Sequence, residues 1–371
     1  MSARNLLLVR LDNLGDVLLC TPAFHAVRET LPDARLTLLA GPVGAQVADL
    51  NPDLDDVIVY EAPWMDLWGR MVQDSGREQR VVQELRGRAF DGAIIFTSFR
   101  QSSLPAAYLC YLADIPLRLG ISLDGAGSLL TTRYRHPEQP MVHEVERALA
   151  LVAVEGFRTS ELGLVLKVPS EDIEKMRARL LAEGVPENGP MVVVHPGCSM
   201  PARTYPWEMY AEVADLLLEE LGCRVVLTGD ARETELVELV QGRMRGRTYS
   251  MAGRTSFREF AALLSLADLV VTNNTGPAHV AAAVKTPVVD LFALTNPPHQ
   301  WGPWGVPHRI LNHPVPCALC YSRICPHHQE CLRGVDPTDV VQAARELLEE
   351  KALSLKGSLS TADISGGSRA G

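Results

Sequence analysis

The sequence has no uninterrupted apolar run that approaches the roughly 20 residues a membrane-spanning helix needs. Its first apolar run, residues 6–9, has the length of a β-strand, and no signal-peptide cleavage pattern follows it, so we expect a cytoplasmic protein. Basic residues are also in short supply, since 35 Lys and Arg stand against 45 Asp and Glu for a net charge of −10. Binding to a nucleic-acid backbone needs a basic face, so we expect no nucleic-acid partner.

The motif G-x-G-x-x-G is absent too, which argues against a dinucleotide-dependent dehydrogenase. The chain instead alternates short apolar runs with amphipathic segments, a pattern typical of parallel α/β layers. At 371 residues and 47% hydrophobic content it is long enough for two domains. We predict an N-terminal domain over 1–166, a C-terminal domain over 167–351, and a disordered tail of small and polar residues over 352–371.

The predicted elements follow the same alternation in each half. In the first half we predict strands at 6–10, 36–40, 57–60 and 93–97, and helices at 79–88, 103–113, 141–156 and from a Thr21–Pro22 start to about 31. In the second half we predict strands at 192–195, 224–228, 269–272 and 288–292, and helices at 171–183, 206–221, 233–244, 277–284 and 337–350. Ser256 and Glu259 form a capping box that opens one more helix.

The turn after the first predicted strand, residues 10–16, is the first candidate site. In open α/β sheets ligands bind beyond the carboxyl ends of the strands, and this turn lies there. Gly15 lets the backbone turn tightly, and Asp16 stands at the mouth of the following helix. The alternative is that Asp16 only caps that helix.

Two candidate sites follow strands of the second half. Residues 195–199 are small after their histidine and proline and allow close backbone approach, and Arg203 offers a cationic fork to phosphate oxygens. Glu233 follows the next strand, where a carboxylate suits the two hydroxyl donors of a ribose. The alternatives are an ordinary turn with a solvated Arg203, and a Glu233 that complements the helix dipole.

The segment 269–279 is the most specific of these candidates. A buried strand reaches Asn274, and Thr275 and Gly276 then open a helix whose free N–H groups and dipole favour an anion without any metal. His279 lies one turn into that helix, where a buried structural histidine is the alternative to a ligand-binding one.

Four cysteines cluster near the C-terminus, at Cys317, Cys320, Cys325 and Cys331. Thiolates at such spacing can hold a structural zinc ion or ligate an iron–sulfur cluster. Four reduced thiols in a tight loop are the alternative, and disulfides are not expected in the cytoplasm.

Taken in order, these segments resemble glycosyltransferase family 9, the ADP-heptose:lipopolysaccharide heptosyltransferases. The likeness runs from residue 6 to about 348 and includes Leu14-Gly15-Asp16-Val17, His195-Pro196-Gly197, Thr228-Gly229 with Glu233, Ala252-Gly253, Asn274-Thr275-Gly276-Pro277-Ala278-His279 and Trp301-Gly302-Pro303. The resemblance implies an α/β protein of the GT-B fold, in which two Rossmann-like domains face each other across a cleft. It also implies inverting sugar transfer from a nucleotide diphosphate without a catalytic metal or other required cofactor, with the acceptor on the N-terminal side and the donor on the C-terminal side.

The resemblance assigns roles to individual residues. Asp16 matches the general base, and Arg203 stands where the family usually has a lysine that pairs with the diphosphate. The donor-binding set comprises Gly15, Ser199, Glu233, Asn274, Thr275, Gly276 and His279, with Glu233 on the ribose and Thr275 and Gly276 on the phosphates. The family usually has Asp where this chain has Asn274, so the resemblance does not fix the sugar.

The resemblance also implies the partners. ADP-heptose is the favoured donor, the acceptor is a lipid-linked lipopolysaccharide core or related glycan, and we expect peripheral contact with the cytoplasmic face of the inner membrane. The apolar and cationic stretch 64–71 is a candidate acceptor or membrane-facing loop, with packing on its own domain as the alternative. The D-x-D pattern of Asp53 and Asp55 is expected on the surface rather than on a metal. Rival functions are transfer from another nucleotide sugar, nucleotide-sugar epimerisation, and non-catalytic binding by a metal-containing protein.

Overall fold

Two sets of parallel strands, one in each half of the chain, organise the fold. A computed structural model of the protein describes residues 3–66, 68–137 and 141–365. Its contacts divide the chain into two units: the first holds the residues up to Lys167 and also His299–Gly305, and the second holds Val168–Pro298 and the residues from Val306 onward. The segment 299–305, which we had assigned to the C-terminal domain, therefore lies in the first unit.

The first unit contains a six-stranded parallel sheet in the order β3-β2-β1-β4-β5-β6. The innermost strands are continuous apolar runs because helices cover both faces of a parallel sheet, and Leu6, Leu7 and Leu8 are fully buried. The strands are β1 (Asn5–Arg10), β2 (Arg35–Ala40), β3 (Asp56–Val59), β4 (Gly92–Ile95), β5 (Leu117–Ile121) and β6 (Thr132–Tyr134). The helices are α1 (Leu14–Thr30), α2 (Ser75–Gly87), α3 (Leu104–Leu112) and α4 (Glu144–Ala153).

The second unit repeats this plan, with strand order β12-β11-β10-β7-β8-β9 and parallel pairing throughout. Its strands are β7 (Met191–His195), β8 (Arg224–Leu227), β9 (Tyr249–Ser250), β10 (Leu269–Asn273), β11 (Val288–Leu291) and β12 (His308–Leu311). Its helices are α5 (Ser170–Ala182), α6 (Trp207–Leu221), α7 (Thr234–Arg243), α8 (Phe257–Leu266), α9 (Gly276–Ala283), the short α10 (Pro298–Trp301) that leads into the first unit, α11 (Glu330–Arg333) and α12 (Pro337–Ser365). Both strand orders are that of the dinucleotide-binding Rossmann fold.

The start of the first helix was predicted wrongly. Pro22 lies inside α1, which begins at Leu14, rather than opening a helix after Thr21. A proline in a helix leaves the carbonyl four residues earlier without its N–H partner. Here that carbonyl belongs to Leu18, and it accepts the hydroxyl of Thr21 at 2.7 Å, so the proline is tolerated in place.

Helix α12 runs from Pro337 to Ser365 and so continues past the predicted end at about 350. Disorder of the tail over 352–371 stays a prediction. Residues 366–371 of that predicted tail lie outside the described residues. The capping box of Ser256 and Glu259 is confirmed, since the Glu259 carboxylate accepts the Ser256 N–H at 2.8 Å. Within the described part of the chain, no helix combines the length and the apolar character that crossing a bilayer requires.

Candidate functional site

The order of the strands locates the first candidate site. The helices that follow two adjacent strands can leave towards opposite faces of a doubly wound sheet, which opens a crevice beyond the carboxyl ends of those strands. In the first unit the strand order reverses between β1 and β4. Asp12 and Asp16 follow β1, and Ser98 follows β4, so the chain brings these three polar side chains to one point.

Arg10, the last residue of β1, is the centre of this site. Its side chain is 2% exposed, and its Nη2 atom donates to Asp16 Oδ1 at 3.0 Å and to Ser98 Oγ at 2.7 Å. The same nitrogen lies 3.1 Å from Asp12 Oδ2, which accepts the Ser98 hydroxyl at 2.7 Å. A buried cation is retained only when anions and hydrogen-bond acceptors surround it, and here they do.

The alternative that Asp16 caps its helix is confirmed by the structure. It is the third residue of α1, and its Oδ2 accepts the backbone N–H of Asn13 at 3.2 Å, so it does cap the helix. Its other oxygen is held by Arg10, and its side chain is 16% exposed, more than either Arg10 or Asp12. The helix start and Arg10 therefore fix a partly accessible carboxylate. Gly15, buried in the first turn of the same helix, does not adopt the left-handed backbone that a tight turn would need.

Asp12 is more deeply buried than Asp16, with 6% of its side chain exposed against 16%. Burial raises the pKa of Asp12 above its ordinary value, although Arg10 opposes the shift. Burial acts against the charge of Arg10 as well, but Asp12 and, more weakly, Asp16 keep the pKa of Arg10 above its ordinary value. Arg10 is therefore a permanent cation whose hydrogen bond orients Asp16.

The second candidate site lies at the same topological position of the second unit, where β7 and β10 are neighbours. Asn273 ends β10 and is fully buried. Its Nδ2 donates to the carbonyls of Pro196 at 2.9 Å and Gly197 at 3.1 Å, and its Oδ1 accepts the N–H of Tyr205 at 2.8 Å. One side chain thus holds the loop after β7 in place.

Glu233 is fixed beside that loop. Its Oε2 accepts the backbone N–H of Asp230 at 2.8 Å and lies 3.4 Å from Nε2 of His195, whose other ring nitrogen contacts Thr228 Oγ1 at 3.0 Å. Burial opposes ionisation, but the contact with His195 and the Asp230 N–H hold the pKa of Glu233 below its ordinary value. Gly197 is required here, because a Cβ at that position would collide with the Glu233 carboxyl group.

Arg203 lies on the opposite side of the same strand ends. It closes a short 3₁₀ turn, Pro201–Arg203, and its Nε donates to Thr295 Oγ1 at 3.1 Å. Thr295 in turn donates to Asn296 Oδ1 at 2.9 Å, and Asn274 Nδ2 lies 3.4 Å from the same oxygen. Asn274 Oδ1 accepts the N–H of Ala293 at 3.2 Å, so its amide is tied to the loop after β11.

The helix start predicted as an anion site has the expected geometry. Thr275 is the N-cap residue of α9, with extended backbone and no side-chain capping bond, and it is partly exposed together with Gly276. His279 is buried in the next turn of α9. Ser199 is exposed in the loop after β7. The second unit thus brings together Arg203, Glu233, Asn274, Thr275 and Gly276 around one group of strand ends, while Gly15 and Asp16 lie in the first unit.

The cysteine cluster does not form a metal site in this structure. Cys331 is buried, Cys320 is exposed, and all four cysteines are free thiols. Among the described residues, no three His, Cys, Asp or Glu side chains converge as metal ligands. The segment instead borders the second site, since Arg323 O accepts the N–H of Ala202 at 3.0 Å and Thr295 O accepts the N–H of Tyr321 at 2.8 Å.

Asp53 was wrongly expected on the surface. It is 5% exposed, and both of its carboxylate oxygens lie 3.1 Å from His25 Nδ1. Asp55 accepts Arg28 Nη2 at 2.6 Å. The D-x-D pattern is therefore occupied by structural ion pairs.

The candidate loop at 64–71 exposes aromatic surface. Trp64 is 38% exposed and Trp68 is 44% exposed, and the guanidinium carbon of Arg70 lies 5.8 Å from the Trp68 ring centroid. Leu67 of this loop lies outside the described residues. Trp64 also lines a groove with Tyr108 and other residues of α2 and α3.

Ser98 and Thr295 were missed because they are distant in sequence from the candidate residues that they contact. Ser98 contacts Asp16 across 82 positions, and Thr295 contacts Arg203 across 92. Their only sequence signal is that each follows a strand end. Arg10 was read as part of the first candidate turn but not as the partner of Asp16, and Asn273 only as part of the segment that leads to the helix start.

Two Rossmann-type units, one with an oriented carboxylate and the other with an acid, an arginine and an open helix start, define a glycosyltransferase of the GT-B class. The family model of glycosyltransferase family 9 (heptosyltransferase) matches residues 79–330, and the chain belongs to that family. Both the predicted fold class and the predicted family are confirmed.

Several relatives of this chain are named as heptosyltransferases. Lipopolysaccharide heptosyltransferase 3 of Escherichia coli (strain K12) is 26% identical over 355 residues, which cover 92% of this chain and 97% of that relative. The structure of E. coli ADP-heptose lipopolysaccharide heptosyltransferase II has a TM-score of 0.75 at 21% identity and covers 94% of this chain and 99% of that one. An E. coli heptosyltransferase solved with ADP-2-deoxy-2-fluoro heptose has a TM-score of 0.68 at 18% identity, covering 92% and 99%.

Proposed function

We propose that this glycosyltransferase moves a heptose from ADP-heptose to a lipopolysaccharide core or related glycan, with inversion at the anomeric carbon and without a catalytic metal ion. The observation that carries the proposal is the Asp16 carboxylate, held by Arg10 at the switch point of the first sheet. The full-length likeness to lipopolysaccharide heptosyltransferase 3 supports the choice of sugar and acceptor.

Asp16 acts as the general base in this proposal. An acceptor hydroxyl must lose its proton as it attacks the anomeric carbon, and a positioned carboxylate can take that proton. The oxygen held by Arg10 is oriented, and the partial exposure of the side chain leaves room for an incoming hydroxyl. Attack from the face opposite the leaving group inverts the anomeric carbon.

The second unit stabilises the leaving diphosphate. Negative charge develops on the departing oxygen as the sugar becomes cationic, and prepositioned positive groups lower that barrier. We assign this to Arg203 and to the N-terminus of α9 at Thr275 and Gly276, where free N–H groups and the helix dipole favour an anion. The Glu233 carboxylate accepts the ribose hydroxyls, and Ser199, Asn274 and His279 complete the donor site. The D-x-D carboxylates already have protein partners, since Asp53 contacts His25 and Asp55 pairs with Arg28.

A test of the donor is a thermal-shift and turnover panel of nucleotide sugars, with ADP-heptose first and the corresponding GDP- and UDP-sugars as matched comparisons. ADP-heptose should raise the melting temperature most and be the best substrate, and turnover should persist in excess EDTA. Turnover of another donor with none of ADP-heptose would overturn the sugar assignment, and loss of turnover in EDTA would overturn the metal-independent mechanism.

The proposed acceptor is lipid-linked, so we place the enzyme at the cytoplasmic face of the inner membrane through peripheral contact. The exposed rings of Trp64 and Trp68 suit the bilayer interface, where amphipathic aromatic rings are favoured. Co-sedimentation with vesicles of phosphatidylethanolamine and phosphatidylglycerol should fall when both tryptophans are replaced by serine. Replacing the exposed Leu239 of α7 by serine is the matched control, and equal loss in the control would refute the assignment.

A further inference from the structure

A second buried carboxylate lies next to the base site. Glu144 is the first residue of α4, and its side chain is 4% exposed, which is rare for a glutamate without partners. Glu144 lines one small cavity together with Arg10, Asp16 and Arg147. The mechanism proposed above gives Glu144 no part.

Both oxygens of Glu144 have a partner. Gln300 Nε2 donates to Oε1 at 2.8 Å, across 156 positions of sequence, from the segment of residues 299–305 that lies in the first unit. Arg147, one turn along α4 and itself almost fully buried, places its Nη1 3.7 Å from Oε2. A buried carboxylate needs such partners, because burial without them costs several kcal/mol per charge.

Arg147 connects Glu144 to the base site. Its Nη1 also donates to the carbonyl of Thr97. Thr97 directly precedes Ser98, whose hydroxyl accepts Arg10 Nη2 at 2.7 Å. Arg10 holds Asp16, so one ion pair, one peptide unit and a series of hydrogen bonds join Glu144 to the carboxylate proposed to take the proton.

The charge on Glu144 depends on these surroundings. Burial raises the pKa of Glu144, and Arg147 and then Arg10 oppose that shift, so Glu144 titrates closer to neutral pH than an ordinary glutamate does. Burial also lowers the pKa of Arg147, and Glu144 opposes that shift, so the two buried charges stabilise each other. The titratable and polar groups that face Glu144 are Arg147 on its own helix, Arg10 on β1, Asp16 and Cys20 on α1, and Gln300. Burial raises the pKa of Cys20 to about 12.

We propose that Glu144 is a positioning residue of the base site: its carboxylate, held by Gln300, fixes Arg147 against Thr97 and thereby keeps Ser98 and Arg10 in the arrangement that orients Asp16. Protonation of Glu144 releases Arg147 and loosens this arrangement. This inference depends on the proposed role of Asp16 as the base, and it does not depend on which sugar is transferred.

The test compares the pH profiles of kcat/KM for the wild type, Glu144→Gln and Gln300→Leu, assayed by ADP release from ADP-heptose with a lipopolysaccharide-core acceptor. Glu144→Gln removes the titrating group, so kcat should fall about tenfold or more while the acid limb moves to lower pH. Gln300→Leu keeps the carboxylate but removes the donor to its charged form, so the acid limb should move to higher pH. The Kd for ADP should stay within about threefold of wild type in both variants, because the donor site lies in the other unit.

Glu146→Gln is the matched control. Glu146 occupies the same helical turn, but it is exposed and accepts the backbone N–H of His143 rather than facing Arg147, so its profile should match the wild type. Shifts of the acid limb in opposite directions for Glu144→Gln and Gln300→Leu would support the proposal even if one variant folds less well. Wild-type profiles in both, or an equal shift in Glu146→Gln, would overturn it. If the wild type turns over only another nucleotide sugar, the donor assignment fails and the same comparison is made with that sugar.

Discussion

Gly197 and Glu233 give the most specific prediction about the donor site. Gly197 follows β7, and a Cβ built on it would overlap the Glu233 carboxyl group. Gly197→Ala therefore must push that carboxylate away, at the expense of its hydrogen bond from the Asp230 N–H at 2.8 Å or its contact with His195 at 3.4 Å. The substitution adds one methyl group and changes no charge.

The size of the effect follows from those contacts. A hydrogen bond to a charged group contributes about 1.5–3 kcal/mol, and inserting a methylene into a packed site costs about 1–3 kcal/mol. If Glu233 binds the ribose, moving it should weaken ADP binding by a similar energy, which corresponds to roughly 10- to 100-fold in Kd. Inorganic pyrophosphate has no ribose, so its Kd should change by less than about threefold.

Isothermal titration of Gly197→Ala with ADP and with pyrophosphate measures both values. Gly242→Ala is the matched control, because Gly242 lies in α7 with open space around its Cβ position, and the change should stabilise that helix by about 0.5–1 kcal/mol without affecting binding. Unchanged ADP binding in Gly197→Ala would refute the placement of the ribose on Glu233. An equal loss for pyrophosphate would show instead that the whole loop had moved.

Three further predictions concern the same unit. Arg203→Ala should weaken both ADP and pyrophosphate by about 10-fold or more, whereas Arg203→Lys should recover most of the loss, and a deficit confined to ADP would contradict the phosphate assignment. Asn273→Ala leaves two carbonyls and one N–H without a buried partner and should lower the free energy of unfolding in urea by about 2–4 kcal/mol, so a change below about 0.5 kcal/mol would contradict its clamping role. Burial raises the pKa of Asp290 well above its ordinary value, so the folded state retains a proton that the unfolded state releases, and stability should fall as pH rises above about 4. The melting temperature of Asp290→Asn should therefore exceed that of the wild type by a margin that grows from pH 5 to pH 8. A margin that stays constant over this range would contradict the prediction.

The parts of the fold that could be predicted from the sequence are those in which burial requires a recognisable run of apolar residues. Strands covered on both faces are continuous apolar runs, which is why the cores of β1, β7 and β10 were located within a residue or two. Four strands were missed because none of them carries such a run. In β5 (Leu117–Ile121), which is buried after its first residue, Arg118 and Gly120 interrupt the apolar residues, and β9 (Tyr249–Ser250) has only two residues. β6 (Thr132–Tyr134) is only partly buried along its length, and β12 (His308–Leu311) includes Arg309, which pairs with Glu346 at 2.9 Å. Edge strands are specified by pairing rather than by their own composition.

The start of α1 shows a different limit. A proline next to a threonine is a common helix start, and that signal outweighed Asn13, which is the N-cap residue of the helix that begins at Leu14. The helix accepts Pro22 because Thr21 satisfies the carbonyl that the proline leaves open. No rule based on neighbouring residues alone distinguishes these two arrangements.

For the candidate sites, the residues that follow strand ends could be predicted from the sequence, but the side chains that contact them could not. Asp16, Glu233 and Thr275 were selected because each follows a buried strand, and the structure does place each one there. Arg10 as the partner of Asp16, and Gln300 as the partner of Glu144, depend on the strand order and on the return of 299–305 to the first unit. The functional roles of all these residues stay predictions until they are measured.

The central claim is that Asp16 takes the proton from the acceptor as heptose leaves ADP. The most direct measurement is the rate of heptose transfer from ADP-heptose to a lipopolysaccharide-core acceptor by Asp16→Asn, with ADP affinity determined on the same protein. Transfer should fall by about 100-fold or more, the usual scale of general-base catalysis, while the Kd for ADP stays within about threefold. Transfer by Asp16→Asn at a rate close to wild type would contradict the claim.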